Sequence, residues 1–277
     1  MSNRMWSFVD IVALCLIPLS FLGAWKWDWF QERAATQPVR ILLLQIGLLL
    51  VFAIALGKSK DRTAFGVLID EADRVSLGRL QAFLWTLIIA GGIAAAVTVN
   101  LARECTAPPD GTEAAAGTCA QSPFSIEVPT DILALAGITA ATFTVSSFLT
   151  NQGLTREVSP VRRNQLALNN TQLSPGYVER GVIAGRDAPT DASLGDLVRG
   201  QFVSDNSALD LSRIQFLALT VILAGGYLVS FAQGMSADVL QPVGSFPAVD
   251  SGLNALLGIS AGVFAGLKAF KEENLTA

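Results

Sequence analysis

The residues with the strongest claim to chemistry come in matched pairs. Arg79-x-Gln81 and Arg213-x-Gln215 each sit in the first turn of a long apolar run. The surrounding stretches, SLGRLQAFLWTLIIAGG (76–92) and DLSRIQFLALTVILAGG (210–226), also share Leu77/Leu211, Thr86/Thr220, Ile88/Ile222, Ala90/Ala224, Gly91/Gly225 and Gly92/Gly226. Ser76 and Asp210 are good helix N-caps. An arginine in an N-terminal turn gains nothing from the helix dipole, so its recurrence calls for a reason. Such a pair could grip a lipid phosphate or line a vestibule. Alternatively, each arginine snorkels to the headgroups while each glutamine hydrogen-bonds at the boundary. A second set, Thr139, Thr142, Ser146 and Thr150, falls on one helical stripe. Those hydroxyls would either face water or bond the preceding turn's carbonyls.

Other machinery is missing. The chain has no histidine, which removes the commonest metal ligand and general base. There is no Walker loop, dinucleotide fingerprint or CxxC. Asp131 and Asp250 read as helix caps, not as a catalytic pair. The expectation is a non-enzymatic protein with no cofactor, no bound metal and no nucleic-acid partner.

The elements that hold these residues are membrane helices. Of 277 residues, 51% are hydrophobic and only 15% charged, too apolar for an ordinary soluble domain. Six apolar runs are long enough to span a bilayer: 6–24, 39–57, 79–101, 130–150, 211–233 and 250–268. The first reads as a retained anchor, followed by interfacial Trp25, Trp27, Trp29 and Phe30. No Asp, Glu, Lys or Arg lies deep within these runs, which argues against an ion-coupled transporter. With the amino terminus inside, fifteen of the nineteen basic residues are cytoplasmic, and Lys26, Arg33, Arg40 and Arg103 are not. That asymmetry places both termini in the cytoplasm. It also puts Cys105 and Cys119 in an outside loop, where a disulfide is expected.

The predicted fold is an all-α polytopic transmembrane bundle of six spans. An N-terminal hairpin (1–57) precedes repeat unit 1 (58–150), a polar cytoplasmic loop (151–192) and repeat unit 2 (193–277). Each repeat begins with an amphipathic surface helix, near 65–75 and 193–202, the second opened by a Ser193/Asp196 capping box. Each continues as a hairpin, and the two hairpins are related in parallel. Residues 151–206 are expected to be irregular, without a core of their own. Gly258, Gly262 and Gly266, with Gly137 and Ala141 at matching places in the earlier repeat, form small-residue stripes suited to close helix packing, within a chain or between copies.

At Ile69-Asp70, Arg74, Ser76-Leu77, Arg79, Gln81, Trp85-Thr86 and Leu256-x-Gly258-Ile259-Ser260, the chain resembles a group of bacterial multi-pass membrane proteins. In that group an ID…R-x-SL-x-R-x-Q…WT entry and an LLGIS exit recur. The likeness covers roughly residues 65–268. It implies a bacterial inner-membrane protein with a duplicated hairpin and carries over no catalytic or binding residues. The functional expectation is a self-associating, channel-like membrane module in contact with the bilayer. The rival is a scaffold or sensor whose basic cytoplasmic loops recruit a soluble partner or anionic lipid.

Overall fold

A computed structural model of the chain describes residues 28–61, 63–103, 122–169, 171–237 and 242–276. The first apolar run and the Cys105/Cys119 pair lie outside them. The described residues form seven helices: α1 (Asp28–Thr36), α2 (Pro38–Asp61), α3 (Leu77–Arg103), α4 (Thr130–Thr155), α5 (Pro160–Leu168), α6 (Leu211–Ala237) and α7 (Ser251–Thr276). Five of these, α2, α3, α4, α6 and α7, are long and apolar enough to cross a membrane. A helix of 26 residues is roughly 39 Å long and exceeds the hydrocarbon core of about 30 Å. Apolar side chains such as Leu43, Leu133, Phe148, Ile222 and Ile259 are exposed along these helices, the surface expected of a protein solvated by lipid.

The chain divides into two compact units. In the first (28–55, 86–133 and 224–249), Ile41 and Leu42 of α2, Ala95, Ala96 and Val99 of α3 and Phe231 and Met235 of α6 share a core with Val243 and Phe246. Close approach is set by glycine: a Cβ at Gly91 would lie 2.8 Å from Ile46 Cγ1, and one at Gly92 would lie 3.1 Å from the Phe246 ring. Asn100 closes this unit. Its amide donates to the carbonyls of Val243 (3.1 Å) and Pro123 (3.3 Å), and its carbonyl accepts from the Val243 amide (2.7 Å).

The second unit (56–85, 134–223 and 250–276) departs from expectation in three places. Residues 65–75 are not a surface helix. A single 3-10 turn, Gly66–Leu68, leads into a tight loop closed by an Ile69–Val75 bridge. Asp70 is the cause: its carboxylate accepts from the amides of Ala72 (3.0 Å) and Arg74 (3.1 Å), giving the backbone a local alternative to helix. Asp73 takes φ 58° there, a conformation that Asp tolerates better than most residues.

The 193–202 segment behaves likewise. The Ser193/Asp196 capping box forms, but only a 3-10 turn, Leu194–Leu197, follows it. The next residues are drawn into pairing instead, with bridges Ile183–Phe202 and Arg199–Leu209 and a bond from the Ala184 amide to the Gln201 carbonyl (2.9 Å).

The polar loop, expected to lack a core, has one. It holds α5 and a two-stranded hairpin, β1 (Val178–Arg180) against β2 (Ile183–Gly185). Val158, Val182, Ile183, Phe202 and Val203 bury one face against Ala72 and Leu275. Those last two residues lie outside 151–206, so a loop too small to form a core alone completes one with borrowed apolar surface.

Candidate functional site

Three arginines of the second unit, Arg74, Arg186 and Arg213, meet at Asp196, which is fully buried. The capping turn fixes its backbone, and the Ser193 amide donates to Oδ2 (3.0 Å). The Val75 amide adds a second bond (3.3 Å). Oδ1 accepts from Arg186 Nε and Nη2 (3.2 and 2.7 Å) and from the Tyr177 hydroxyl. Arg186 also lies over the Tyr177 ring, 3.7 Å from its centroid, a cation–π contact. Burial alone would raise the Asp196 carboxyl, but these donors, Arg186 foremost, outweigh it and hold it below the ordinary carboxylate value. The Tyr177 hydroxyl is raised, by burial first and then by its bond to Asp196.

Arg74 joins the same cluster, its guanidinium 5.1 Å from the Tyr177 ring centre. Its guanidinium donates to the carbonyls of Ala184 (2.9 Å), Asp196 (3.3 Å) and Arg199 (3.5 Å), and burial lowers its pKa. Asp70, at the other end of the same loop, is raised by burial despite its bonds to the Arg74 and Ala72 amides. The mutual dependence of Asp70, Arg74 and Asp196 explains why the 66–76 loop and the 178–203 segment fold as one body.

The paired motif residues split between environments. Arg213 is buried: it donates to the Asp196 carbonyl (3.3 Å) and to Gln201 Oε1 (2.7 Å) and lies 5.4 Å from the Phe264 ring centre. Arg79 is partly exposed, bonded to the Ile69 carbonyl (2.6 Å) and ion-paired with Glu71. Gln81 is buried and donates to Thr220 Oγ1 (3.2 Å), while Gln215 is exposed.

The hydroxyl stripe on α4 is buried throughout. Thr139, Thr142 and Thr150 donate to the carbonyls of Ala136, Ile138 and Ser146. Thr150 Oγ1 also accepts from Gln201 Nε2 (2.8 Å).

Lys268, at the end of the expected run 250–268, is turned inward. Helix α7 continues to Thr276, so Lys268 lies about 25 Å along its axis and is buried. Its ammonium donates to the Ser146 carbonyl (2.6 Å), Ser146 Oγ (3.1 Å) and Thr150 Oγ1 (2.7 Å). Those three acceptors match its three protons. One turn on, buried Glu272 faces Arg156 at 3.3 Å. The sequence signal was α7 itself: a 3.6-residue period continued from 251 to 276 turns Lys268 and Glu272 to the face that carries Leu257, Ala261 and Phe264.

Among the expected packing glycines, a Cβ at Gly137, Gly262 or Gly266 would meet nothing within 4 Å, and one at Gly258 would touch only Ile138 Cδ1 at 3.6 Å. Ala141, Gly258 and Gly262 line a groove between α4 and α7.

Chemically, the network fixes charge in place. Its cations are satisfied by carbonyls and hydroxyls as much as by carboxylates, an arrangement that ties segments together and penalises loss of any one member. No protein-family model, curated protein or solved structure matches this chain.

Proposed function

We propose that this is a self-associating bacterial inner-membrane protein whose copies pack through the groove between α4 and α7. The observation that carries the reading is that, among the described residues, the small-residue stripe is not consumed by packing within the chain. The groove measures about 260 Å³ and is lined by Ile138, Ala141, Val145, Gly258, Gly262 and Ala265. Small residues that face lipid permit close backbone approach by another helix. The hydroxyl stripe lends the channel-like form of this reading no support, because its members are buried and bonded.

The finer architecture belongs to the same proposal: six spans, both termini cytoplasmic and two parallel hairpin repeats. The basic-residue asymmetry supports the orientation. The Ile69–Val75 and Arg199–Leu209 bridges, each leading directly into a spanning helix, support the duplication. Membership in the bacterial group rests on the motif residues. A second reading, a scaffold that recruits a soluble partner or anionic lipid, is favoured by the core-bearing module over 158–203.

Native mass spectrometry of the protein in lipid nanodiscs tests the leading reading. Wild type should run as an oligomer and Gly262→Leu as a monomer, since the new side chain enters open space and leaves the fold alone. A monomeric wild type would refute self-association. Scaffold activity would survive Gly262→Leu and be impaired by Arg163→Glu, at an exposed position of the module.

A further inference from the structure

A groove lies between α5 and the last turns of α7. It has a volume of about 380 Å³, and its walls include Arg162, Gln165, Ser204, Phe270, Lys271 and Asn274. Three features of its position bear on what fits it. First, it begins where the lipid-facing surface of α7 ends. Leu256, Ile259, Val263, Leu267 and Phe270 are exposed in succession, and the next exposed residue is Glu273. An apolar stripe that stops at a charge marks the level of the headgroups. Second, the groove's lining among the described residues contains two cations and no carboxylate. Third, α5 is held at this level. The Ser159 amide donates to the Leu275 carbonyl (2.9 Å) and Arg162 Nε to the Asn274 carbonyl (2.9 Å). Leu166 packs toward the core, while Val161 and Leu168, two turns apart on one line, are 64% and 85% exposed. A short helix with apolar residues outward and Arg162 and Arg163 beside them is the pattern of a segment lying in the interface.

From this placement we propose that the α5–α7 groove binds a phospholipid, with Arg162 holding the phosphate and Phe270 supporting the start of an acyl chain. Lys271 is already paired with Asp205 (2.7 Å) and Asp210 (3.2 Å), so the phosphate falls to Arg162. Three of the five guanidinium N–H groups are engaged, with Asn274 O, Gln165 Oε1 and Asn274 Oδ1. The other two remain for the ligand. Gln165, Ser204 and Asn274 supply neutral polar contacts suited to a glycerol headgroup.

The proposal rests on α7 as a spanning helix and is independent of self-association. The test is native mass spectrometry of the full-length protein in detergent with phosphatidylglycerol or phosphatidylcholine at equal mole fraction. One phosphatidylglycerol should be retained, about fivefold over phosphatidylcholine. Arg162→Gln should cut retention about tenfold. Because Arg162 also bonds the end of α7, Gln165→Glu serves as the second variant. It puts a carboxylate at an exposed wall of the groove without disturbing that bond, and should lower retention too. Equal retention of the two lipids, or no change in either variant, would overturn the proposal. So would binding of glycerol 3-phosphate at the same concentration, because the site would then be one for a soluble phosphate.

Discussion

Helices α3 and α6 carry one residue pattern into two different surroundings. Half of the apolar window of α3 is buried, against 28% for α6. Gly91 and Gly92 of α3 meet Ile46 and the Phe246 and Phe231 rings, whereas Gly225 and Gly226 of α6 meet nothing within 4 Å. The arginines invert this order, Arg213 being buried and Arg79 not, while the glutamines keep it, Gln81 being buried and Gln215 exposed. Even the hydroxyls trade places, Thr220 being buried and Thr86 exposed. Identical residues thus make a similar helix start and apolar run, but which face is covered is decided by what packs against it. For α6 the cover at the first turn is the Asp196 and Gln201 segment; for α3 it is the short Ile69–Glu71 loop.

The largest expected effect tests the cover itself. Asp196→Ala leaves Arg186 without its carboxylate and should cost about 3–5 kcal/mol of stability, read as loss of the cooperative melt of the purified protein. Arg213→Gln should follow at about 2–4 kcal/mol, since it strips donors from buried carbonyl acceptors. Arg79→Gln should cost less than about 1 kcal/mol, because its ion pair with Glu71 is partly exposed. Equal losses at the two arginines would break the comparison.

The glycines sharpen it through sign. Gly91→Ala forces a methyl against Ile46 and should destabilise by about 1–3 kcal/mol. Gly225→Ala adds a better helix former in open space and should stabilise by about 0.5–1 kcal/mol. Both are measurable as midpoint shifts in denaturant. The smallest contrast is Gln81→Ala, about 1 kcal/mol for a lost buried hydrogen bond, against no measurable change for Gln215→Ala.

Titration offers an independent handle on the Asp196 cluster. Asp196 is depressed in the folded state, so its contribution is present above the ordinary carboxylate value and is lost as pH falls through the lower folded one. Asp70 acts in the opposite sense: burial raises it, so it opposes folding once pH exceeds its ordinary value. Tyr177 is raised, and its contribution fades as pH climbs through its folded value. A pH series of melting temperatures should fall at the acid end in wild type and flatten there in Asp196→Asn.

Much of the architecture was legible from hydrophobic runs, because a spanning helix must satisfy its own backbone and therefore writes its length into composition. Five of the six expected runs appear as such helices and the sixth lies outside the described residues. The site was harder to read. Helical spacing at 65–75 was genuine, but the Asp70 carboxylate captured two amides that a helix needed, a competition that apolar periodicity does not register. The 158–203 core escaped notice because its apolar residues are few and complete their burial with Ala72 and Leu275, both distant in sequence. Lys268 reads as the end of its apolar run because a charge usually marks a boundary. Here Ser146 and Thr150 replace water around it.

The claim with most at stake is that α4 and α7 leave their small-residue groove for another copy. Disulfide cross-linking in native membranes tests it directly, in a chain whose three cysteines are replaced by serine. Gly262→Cys should yield a covalent dimer on mild oxidation, while Gly225→Cys, equally open but outside the groove, should remain monomeric. Cross-linking at Gly225 with none at Gly262 would contradict the account.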